Sequence, residues 1–253
     1  MSLDIAGGEF LAIMGRNASG KSTLTRLLAG LYLPVSGQVE IDGINTRKDS
    51  SQRVRQLVGL LLAGADPQFV SNIVEEDLAF GPENQGLSAN KIRQRVDTAL
   101  KMVSMEEFAK HPPYLLSGGQ KARIALAGLL AMAPHYLVLD EPFSYLDARS
   151  IRELMDILCC WRKEEQNTLI LVTHQLETAR QADRIVVLES GHICFLGTPD
   201  ELAGQGNDRL RGWGIEPCET SLLAENINHR LNRNALSDVQ QTDQLVELLC
   251  RLC

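Results

Sequence analysis

Residues 15 to 23 read Gly15-Arg16-Asn17-Ala18-Ser19-Gly20-Lys21-Ser22-Thr23, a glycine-bracketed loop of the pattern G-x-x-x-x-G-K-[ST]. Glycine at both ends lets backbone N–H groups turn inward around phosphate oxygens with no Cβ in the way. The helix expected over Ser22 to Ala29 aims its positive end at the same anion. Lys21 is then placed to neutralise β- and γ-phosphate charge, and the Ser22 hydroxyl to ligate Mg²⁺. The site this loop could build is one for a magnesium-bound nucleoside triphosphate.

A second chemical unit is Tyr136-Leu137-Val138-Leu139-Asp140-Glu141, an apolar strand delivering two adjacent carboxylates to its end. Alone, that pair would read as a solvated acidic turn. Beside a phosphate loop, Asp140 suits a magnesium shell, through water, because Mg²⁺ keeps much of its hydration. Glu141 is then placed to orient or deprotonate an attacking water. A third unit, Leu116-Ser117-Gly118-Gly119-Gln120, opens the helical run Lys121 to Ala133. Ser117 is a good cap, so an ordinary capped helix is one reading. The other is a second anion-binding helix end. One compact site has little use for two such ends, so a second chain could present this one to the same γ-phosphate.

These residues need elements to hold them. Phe10 to Met14 is a short apolar run stopped by Gly15, the pattern of a buried parallel strand. Tyr136 to Leu139 and Thr168 to Val172 are similar runs ending on acidic or polar residues. Open parallel sheets place their chemistry beyond such carboxyl ends. Gln38 to Ile41 meets Asp42-Gly43, and Ile185 to Leu188 meets Ser190-Gly191 before Ile193 to Leu196, two hairpin signals. Ser88 is expected to cap a helix carrying Ile92, Val96, Leu100 and Val103, and Ile151, Leu154, Leu158 and Trp161 repeat that spacing after Asp147. Strands alternating with helices argue α/β, with a mostly helical insertion from about residue 70 to 133. After Gly197-Thr198-Pro199 the strand signals stop. Two short helices are expected in the tail, ending in Val239, Leu245, Leu249 and Leu252.

Composition sets the outer bounds. The 253 residues suffice for one to two domains, and 44% hydrophobic with 23% charged residues excludes a disordered or low-complexity chain. A formal net charge of −7 argues against a protein living on nucleic acid, whose surface would more often be basic. No stretch approaches the ~18 to 20 apolar residues that span a bilayer. Met1-Ser2-Leu3-Asp4 lacks the basic-then-apolar order of a secretory signal. The six cysteines do not assemble a tetrahedral zinc set, since Cys250 and Cys253 find no second pair, and their scatter points to the reducing cytosol.

The phosphate loop, Leu116 to Gln120 and Asp140-Glu141, in that order and spacing, resemble the ATP-binding cassette (ABC) ATPases that drive membrane transporters. Ser144-Tyr145-Leu146-Asp147 looks like that family's D-loop, and His174, after the strand Thr168 to Val172, like its switch histidine. The resemblance implies a P-loop NTPase fold: a RecA-like parallel-sheet core, an antiparallel β part and the helical subdomain. It implies a nucleotide-binding domain over about 1–200 and a C-terminal extension over 201–253. It further implies ATP and Mg²⁺, with Gly15, Asn17, Ala18, Ser19, Gly20, Lys21, Ser22 and Thr23 around the phosphates and Ser22 and Asp140 on the metal. Lys21, Glu141 and His174 would carry catalysis, His174 holding γ-phosphate and water in register. Ser117, Gly118, Gly119, Gln120 and Asp147 would be offered to the nucleotide of a partner subunit in a head-to-tail pair. Chromosome-maintenance ATPases share these motifs but place hundreds of coiled-coil residues between phosphate loop and signature; here Ser117 follows Gly15 by 102 positions.

Within the family, Glu76-Asp77-Leu78-Ala79-Phe80-Gly81-Pro82-Glu83-Asn84 and Ala125-Leu126-Ala127-Gly128 resemble the ATPase subunits of energy-coupling-factor importers, which bring vitamins, cobalt or nickel into prokaryotic cells. The stretch Arg209 to Pro217 is similar to their C-terminal extension, which helps hold two ATPases together. This implies a peripheral protein on the cytoplasmic face of the cell membrane, working with a second ATPase, a transmembrane coupling protein and a substrate-binding membrane protein.

Three departures from the pattern carry expectations. Only fourteen residues precede Gly15, too few for the edge strand and adenine-stacking aromatic of relatives, so a start placed downstream of the true one is expected. Ala18 stands where many relatives have glycine. A left-handed backbone there would cost ~1–2 kcal/mol, and the expectation is a backbone that alanine tolerates. Ala63 stands where relatives have a glutamine that touches Mg²⁺ or the lytic water, and its methyl group can neither donate nor accept a hydrogen bond. That loss keeps open a mainly regulatory subunit with weak hydrolysis. Restoring the amide with Ala63→Gln is expected to raise ATP turnover at this chain's site in the assembled complex; turnover equal to wild type would reject the deficit.

Overall fold

The structure is a computed structural model that describes residues 1–47, 51–62, 69–144 and 146–231. In chain order the elements are β1 (Phe10–Met14), α1 (Lys21–Leu28), β2 (Glu40–Ile41), β3 (Ile44–Asn45), α2 (Ser51–Leu57), β4 (Val58–Leu61), α3 (Val74–Asn84) and α4 (Ala89–Met102). Two single 3₁₀ turns precede α5 (Gly118–Ala131) and β5 (Tyr136–Asp140). Then come α6 (Ala148–Glu165), β6 (Thr168–Val172), α7 (Leu176–Ala179), β7 (Arg184–Glu189) and β8 (His192–Gly197). The described chain ends with α8 (Pro199–Ala203), α9 (Asn207–Gly212) and α10 (Glu219–Leu231). The class is α/β, as the alternation of apolar runs and helical periods requires. Among the described residues no helix is long and apolar enough to cross a membrane.

The chain forms two compact units. One comprises Asp4–Phe10 and Ser22–Val172. Its sheet joins β4, β5 and β6 in parallel, with Val58 opposite Tyr136 and Asp140 opposite Val172. Covered on both faces, β5 and β6 are almost continuously buried, which is why both read as unbroken apolar runs. On α6, Leu154, Leu158 and Trp161 are buried as their spacing requires, Leu158 completely, and the helix packs on β6. Asp147 caps it, accepting from the Ser150 N–H at 2.8 Å. Helices α3, α4 and α5 pack on one another and fill the span from Val74 to Ala131. Ser88 occupies the N-cap position of α4 with extended backbone, but its side chain makes no capping bond, contrary to expectation. Asp42 and Gly43 both take positive φ, 50° and 74°, in the two-residue turn between β2 and β3. The right-handed twist of paired strands favours that mirror-image turn.

The other unit comprises Met1–Leu3, Leu11–Lys21 and the described part of Thr173–Cys253. Leu11 to Met14 run parallel to Arg184 to Val187 on β7, and β8 returns antiparallel across the Ser190-Gly191 turn. Helix α8 opens with a reciprocal cap in which Thr198 Oγ1 accepts from the Glu201 N–H and Glu201 Oε2 from the Thr198 N–H. Trp213, just past α9, lies 6.1 Å from the Phe195 ring and under the Arg209 guanidinium at 4.7 Å. The guanidinium of Arg211 pairs with Glu225 and ties α9 to α10. The sequence marks the end of strand structure near Pro199 but gives no strong sign of the 13-residue α10. The helical pattern of Val239, Leu245, Leu249 and Leu252 lies outside the described residues.

Because Leu158 is completely buried on the helix that packs on β6, Leu158→Ala is expected to destabilise the protein by about 2–5 kcal/mol, read as a lower urea midpoint.

Candidate nucleotide-binding site

The phosphate loop is built by steric exclusion. Gly15 takes φ 136°, and a Cβ there would lie 2.2 Å from the Leu188 carbonyl oxygen. Gly20 takes φ 108° beside Gly191, whose N–H donates to the Ser19 carbonyl at 2.9 Å. The end of β7 and its turn therefore hold the loop from behind. Lys21, 5% exposed, donates Nζ to the carbonyls of Gly15 at 2.8 Å and Arg16 at 3.0 Å, so its ammonium stays with the loop and a charged group is buried only because it is paired. Ser19 Oγ is buried and makes no hydrogen bond to any described residue.

Ala18 departs from expectation. Its φ is 63°, left-handed, so the alanine stands where Cβ crowds the following carbonyl. The sequence could not show this, because the backbone angle follows from closure of the whole loop.

In the unit that carries Ser22, the residues expected at a metal ion can be followed directly. Thr25, one turn beyond Ser22, shares its hydroxyl proton between the Ser22 carbonyl at 3.0 Å and Asp140 Oδ2 at 3.4 Å. Asp140 is thereby placed against the first turns of α1. It is 1% exposed, and its Oδ1 has no hydrogen-bonding partner among the described residues. A buried carboxylate oxygen without a donor is costly, and a divalent cation satisfies it. Ser22, half-buried at the head of α1, would supply a second oxygen, so the residues present fit Mg²⁺. Thr25 was not singled out from the sequence, although its place three residues after Ser22 puts both on one helix face.

Glu141 follows on the strained side of the backbone map, at φ 51°, with its N–H donated to the Val172 carbonyl at 3.1 Å. Left-handed backbone at a bulky residue persists where neighbours over-determine it, as this bond and the Ser144 hydroxyl on the Glu141 carbonyl do here.

Ser117, Gly118, Gly119 and Gln120 open α5 through a reciprocal cap. The Ser117 hydroxyl accepts from the Gln120 N–H, and the Gln120 amide oxygen accepts from the Ser117 N–H at 2.9 Å. A Cβ at Gly119 would stand 3.2 Å from the Ser150 hydroxyl, which donates to Asp147. The signature turn and Asp147 are thus neighbours through Ser150. The Ser150 N–H on Asp147 holds that carboxyl below its ordinary pKa. Asn17, Thr23 and Ser117 are exposed. His174 lies two residues past β6, its Nδ1 3.1 Å from the Gly214 carbonyl. Ala63 and Tyr145 lie outside the described residues.

A phosphate loop, a buried carboxylate followed by Glu141, and a capped Ser-Gly-Gly turn on an α/β scaffold define an ATPase of the cassette class. Residues 1–144 match the family model described as ABC transporter. The energy-coupling factor transporter ATP-binding protein EcfA of Syntrophomonas wolfei subsp. wolfei is 49% identical over 251 residues, 99% of this chain and 91% of that protein. EcfA1 of Clostridium novyi is 41% identical over 253 residues, covering 100% of this chain and 90% of its own. Among solved structures, cbiO1 from Clostridium perfringens, part of the ABC transporter complex cbiONQ, superposes with a TM-score of 0.75 at 32% identity, over 92% of this chain and 88% of its own. A cassette solved as a dimer in a post-hydrolysis state with ADP and Pi gives 0.70 at 32% identity, over 78% of this chain and 88% of its own. The chain belongs to the ABC transporter family, among the ATP-binding subunits of energy-coupling factor transporters.

Because the Ala18 side chain is exposed, replacing it forfeits no packing. Ala18→Gly is expected to stabilise the protein by about 0.5–1 kcal/mol, visible as a raised melting temperature without nucleotide.

Proposed function

We propose that this chain hydrolyses ATP to ADP and phosphate to drive import of a micronutrient, a vitamin or a transition metal such as cobalt or nickel, across the prokaryotic cell membrane. The observation that carries the proposal is the buried Asp140, one oxygen unpartnered, set by Thr25 against the helix that begins with Lys21 and Ser22. An acidic oxygen kept dry beside Thr25 of α1 has its use when a magnesium nucleotide binds.

In this reading Gly15, Asn17, Ala18, Ser19 and Gly20 offer backbone N–H groups to the phosphates, and Thr23 adds its own at the start of α1. Lys21 opposes the charge that develops on the γ-phosphoryl oxygens. Ser22 and Asp140 would hold Mg²⁺, which would supply charge neutralisation to the phosphates when bound. Glu141 polarises the attacking water, and its strained backbone fixes the carboxylate's direction. His174 holds the γ-phosphate and that water in register. Positioning and charge stabilisation supply the rate, with no covalent intermediate on the protein.

The Ser117 to Gln120 turn and Asp147 serve a second subunit in a head-to-tail pair, so that each nucleotide is clamped between Lys21 of one chain and Ser117 of the other. The Ser117–Gln120 cap supports this, because it fixes the turn while Ser117 and Gly118 stay exposed. ATP then favours the closed pair by contacts only that pair makes, and hydrolysis releases it. The nucleotide-binding domain would occupy about 1–200, with the helical span 70–133 facing a transmembrane coupling protein. The 201–253 extension would join the two ATPases, and a separate membrane protein would select the cargo. The chain would sit peripherally on the cytoplasmic face. The names of the EcfA relatives and of the cbiONQ complex support this assignment.

The test is Glu141→Gln in the complex purified from its native membrane. ATP binding should persist while turnover falls ~100-fold or more, the scale expected for a lost general base, and the co-purifying subunits should include a second ATPase and a transmembrane protein. Turnover near wild type would assign hydrolysis to the partner and leave this chain a regulatory role.

A further inference from the structure

Gly214 lies just past α9, where the sequence shows no chemistry, yet within one unit of the fold it stands against the phosphate loop. Its backbone takes φ +70°, and a Cβ there would lie 2.9 Å from Arg16 Cγ and 3.1 Å from Arg16 Cα. Carbon atoms pack at about 3.5–4.0 Å, so a side chain at 214 would press on the loop. The atoms it would meet are the root of Arg16 and its backbone, and swinging the guanidinium tip aside relieves neither. Glycine meets two needs here, a left-handed turn and the close approach of two stretches of backbone.

Arg16 is a sensitive place for such pressure. Its carbonyl accepts from Lys21 Nζ at 3.0 Å and from the Ser19 N–H at 3.2 Å, so one peptide unit holds both the buried ammonium and the turn before Gly20. The loop is already confined at Gly15 by the Leu188 carbonyl and at Ser19 by the Gly191 N–H. The segment that would press on it is fixed as well. The Gly214 N–H donates to the Arg211 carbonyl at 3.0 Å, the Ile215 N–H to the Leu210 carbonyl at 2.9 Å and the Glu216 N–H to the His174 carbonyl at 2.8 Å. Trp213 and Ile215, flanking Gly214, are buried, with the Trp213 ring 6.1 Å from that of Phe195.

We propose that Gly214 is a positioning residue for the phosphate loop, its missing side chain letting the segment after α9 seat Arg16 so that the Arg16 carbonyl holds Lys21. The segment offers no group to the nucleotide; it sets affinity by backing the loop that does. Coupling of this kind is reciprocal, so a nucleotide held by the loop also steadies residues 213 to 216. The inference rests on the reading of residues 15 to 23 as the loop that binds phosphate.

The test compares two glycines of matched backbone. Gly86, in the turn between α3 and α4, takes φ +72° with nothing within 4 Å of the place a Cβ would take. Gly86→Ala and Gly214→Ala therefore carry similar backbone strain, and only the second meets the loop. Calorimetry with Mg-ADP on the full-length chain should show binding weakened ~10-fold or more by Gly214→Ala and less than ~2-fold by Gly86→Ala, although both lower the melting temperature. ADP is the probe because it lacks the γ-phosphoryl group assigned to other residues. Equal affinities in the two variants would overturn the proposal. Should Gly214→Ala fail to fold, wild type decides: Mg-ADP should slow amide hydrogen exchange at Gly214, Ile215 and Glu216. It should still do so in His174→Ala, which removes the ring that touches the Gly214 carbonyl. No slowing in wild type, or its loss in His174→Ala, would also overturn the proposal. A wild-type chain that binds no ADP would instead reject the phosphate-loop reading under the proposed function.

Discussion

The closeness of the Leu188 carbonyl to Gly15 is the constraint on which the remaining site geometry depends. With 2.2 Å between that oxygen and the place a Cβ would take, the chain leaving β1 can carry no side chain at residue 15 and must turn at once. The turn brings the Gly15 and Arg16 carbonyls around Lys21 Nζ and lets the Gly191 N–H reach the Ser19 carbonyl. A lysine buried this deeply is tolerable because carbonyl oxygens replace the water it has lost. The loop is thus organised before any anion arrives, and a triphosphate need not meet the entropy cost of assembling it.

Burial does the corresponding work at Asp140. The β5 strand is apolar up to that residue because both faces of the sheet are covered, and the carboxylate inherits the strand's dryness. Thr25 relieves one oxygen weakly and leaves the other without a donor. Water would satisfy that oxygen if it could enter freely. A site that excludes it raises the gain from placing a cation there, since electrostatic attraction strengthens as the effective dielectric falls. Glu141, the next residue, escapes the strand through a left-handed backbone step, so two consecutive carboxylates leave in different directions and can take different tasks.

How far such a site can be read from sequence depends on the range of the physics involved. The places of Gly15, Lys21, Ser22, Asp140, Glu141 and Ser117 in the fold were legible because each is set by neighbours within a few residues: a strand end, a tight turn, a helix start. The strands β1, β5 and β6 were legible for the same reason, each being a buried run stopped by a glycine or a polar residue. Ala18 was misread because its backbone angle is a property of loop closure, and a small side chain gives no hint of it. Ser88 has the right type and place for a cap, but a favourable residue type does not oblige the hydroxyl to turn inward. Thr25 and Gly214 were missed for a third reason. Each matters only through partners at least 40 residues away, a distance no periodicity can report.

That third class of residue explains why the cassette and its C-terminal segment are hard to separate physically. The segment from Trp213 to Glu216 does not merely follow the catalytic part of the chain. It donates to the His174 backbone, accepts from Leu176, and packs its one Cβ-free residue against Arg16. A parallel bridge of this kind contributes modestly to stability through each hydrogen bond, about 0.5–1.5 kcal/mol. Its larger effect is on direction: with backbone bonds on either side of Gln175, the histidine ring has few ways to turn. A shift of the Trp213–Glu216 segment would therefore be felt at His174 through these bonds, and a shift of His174 would be felt by the segment.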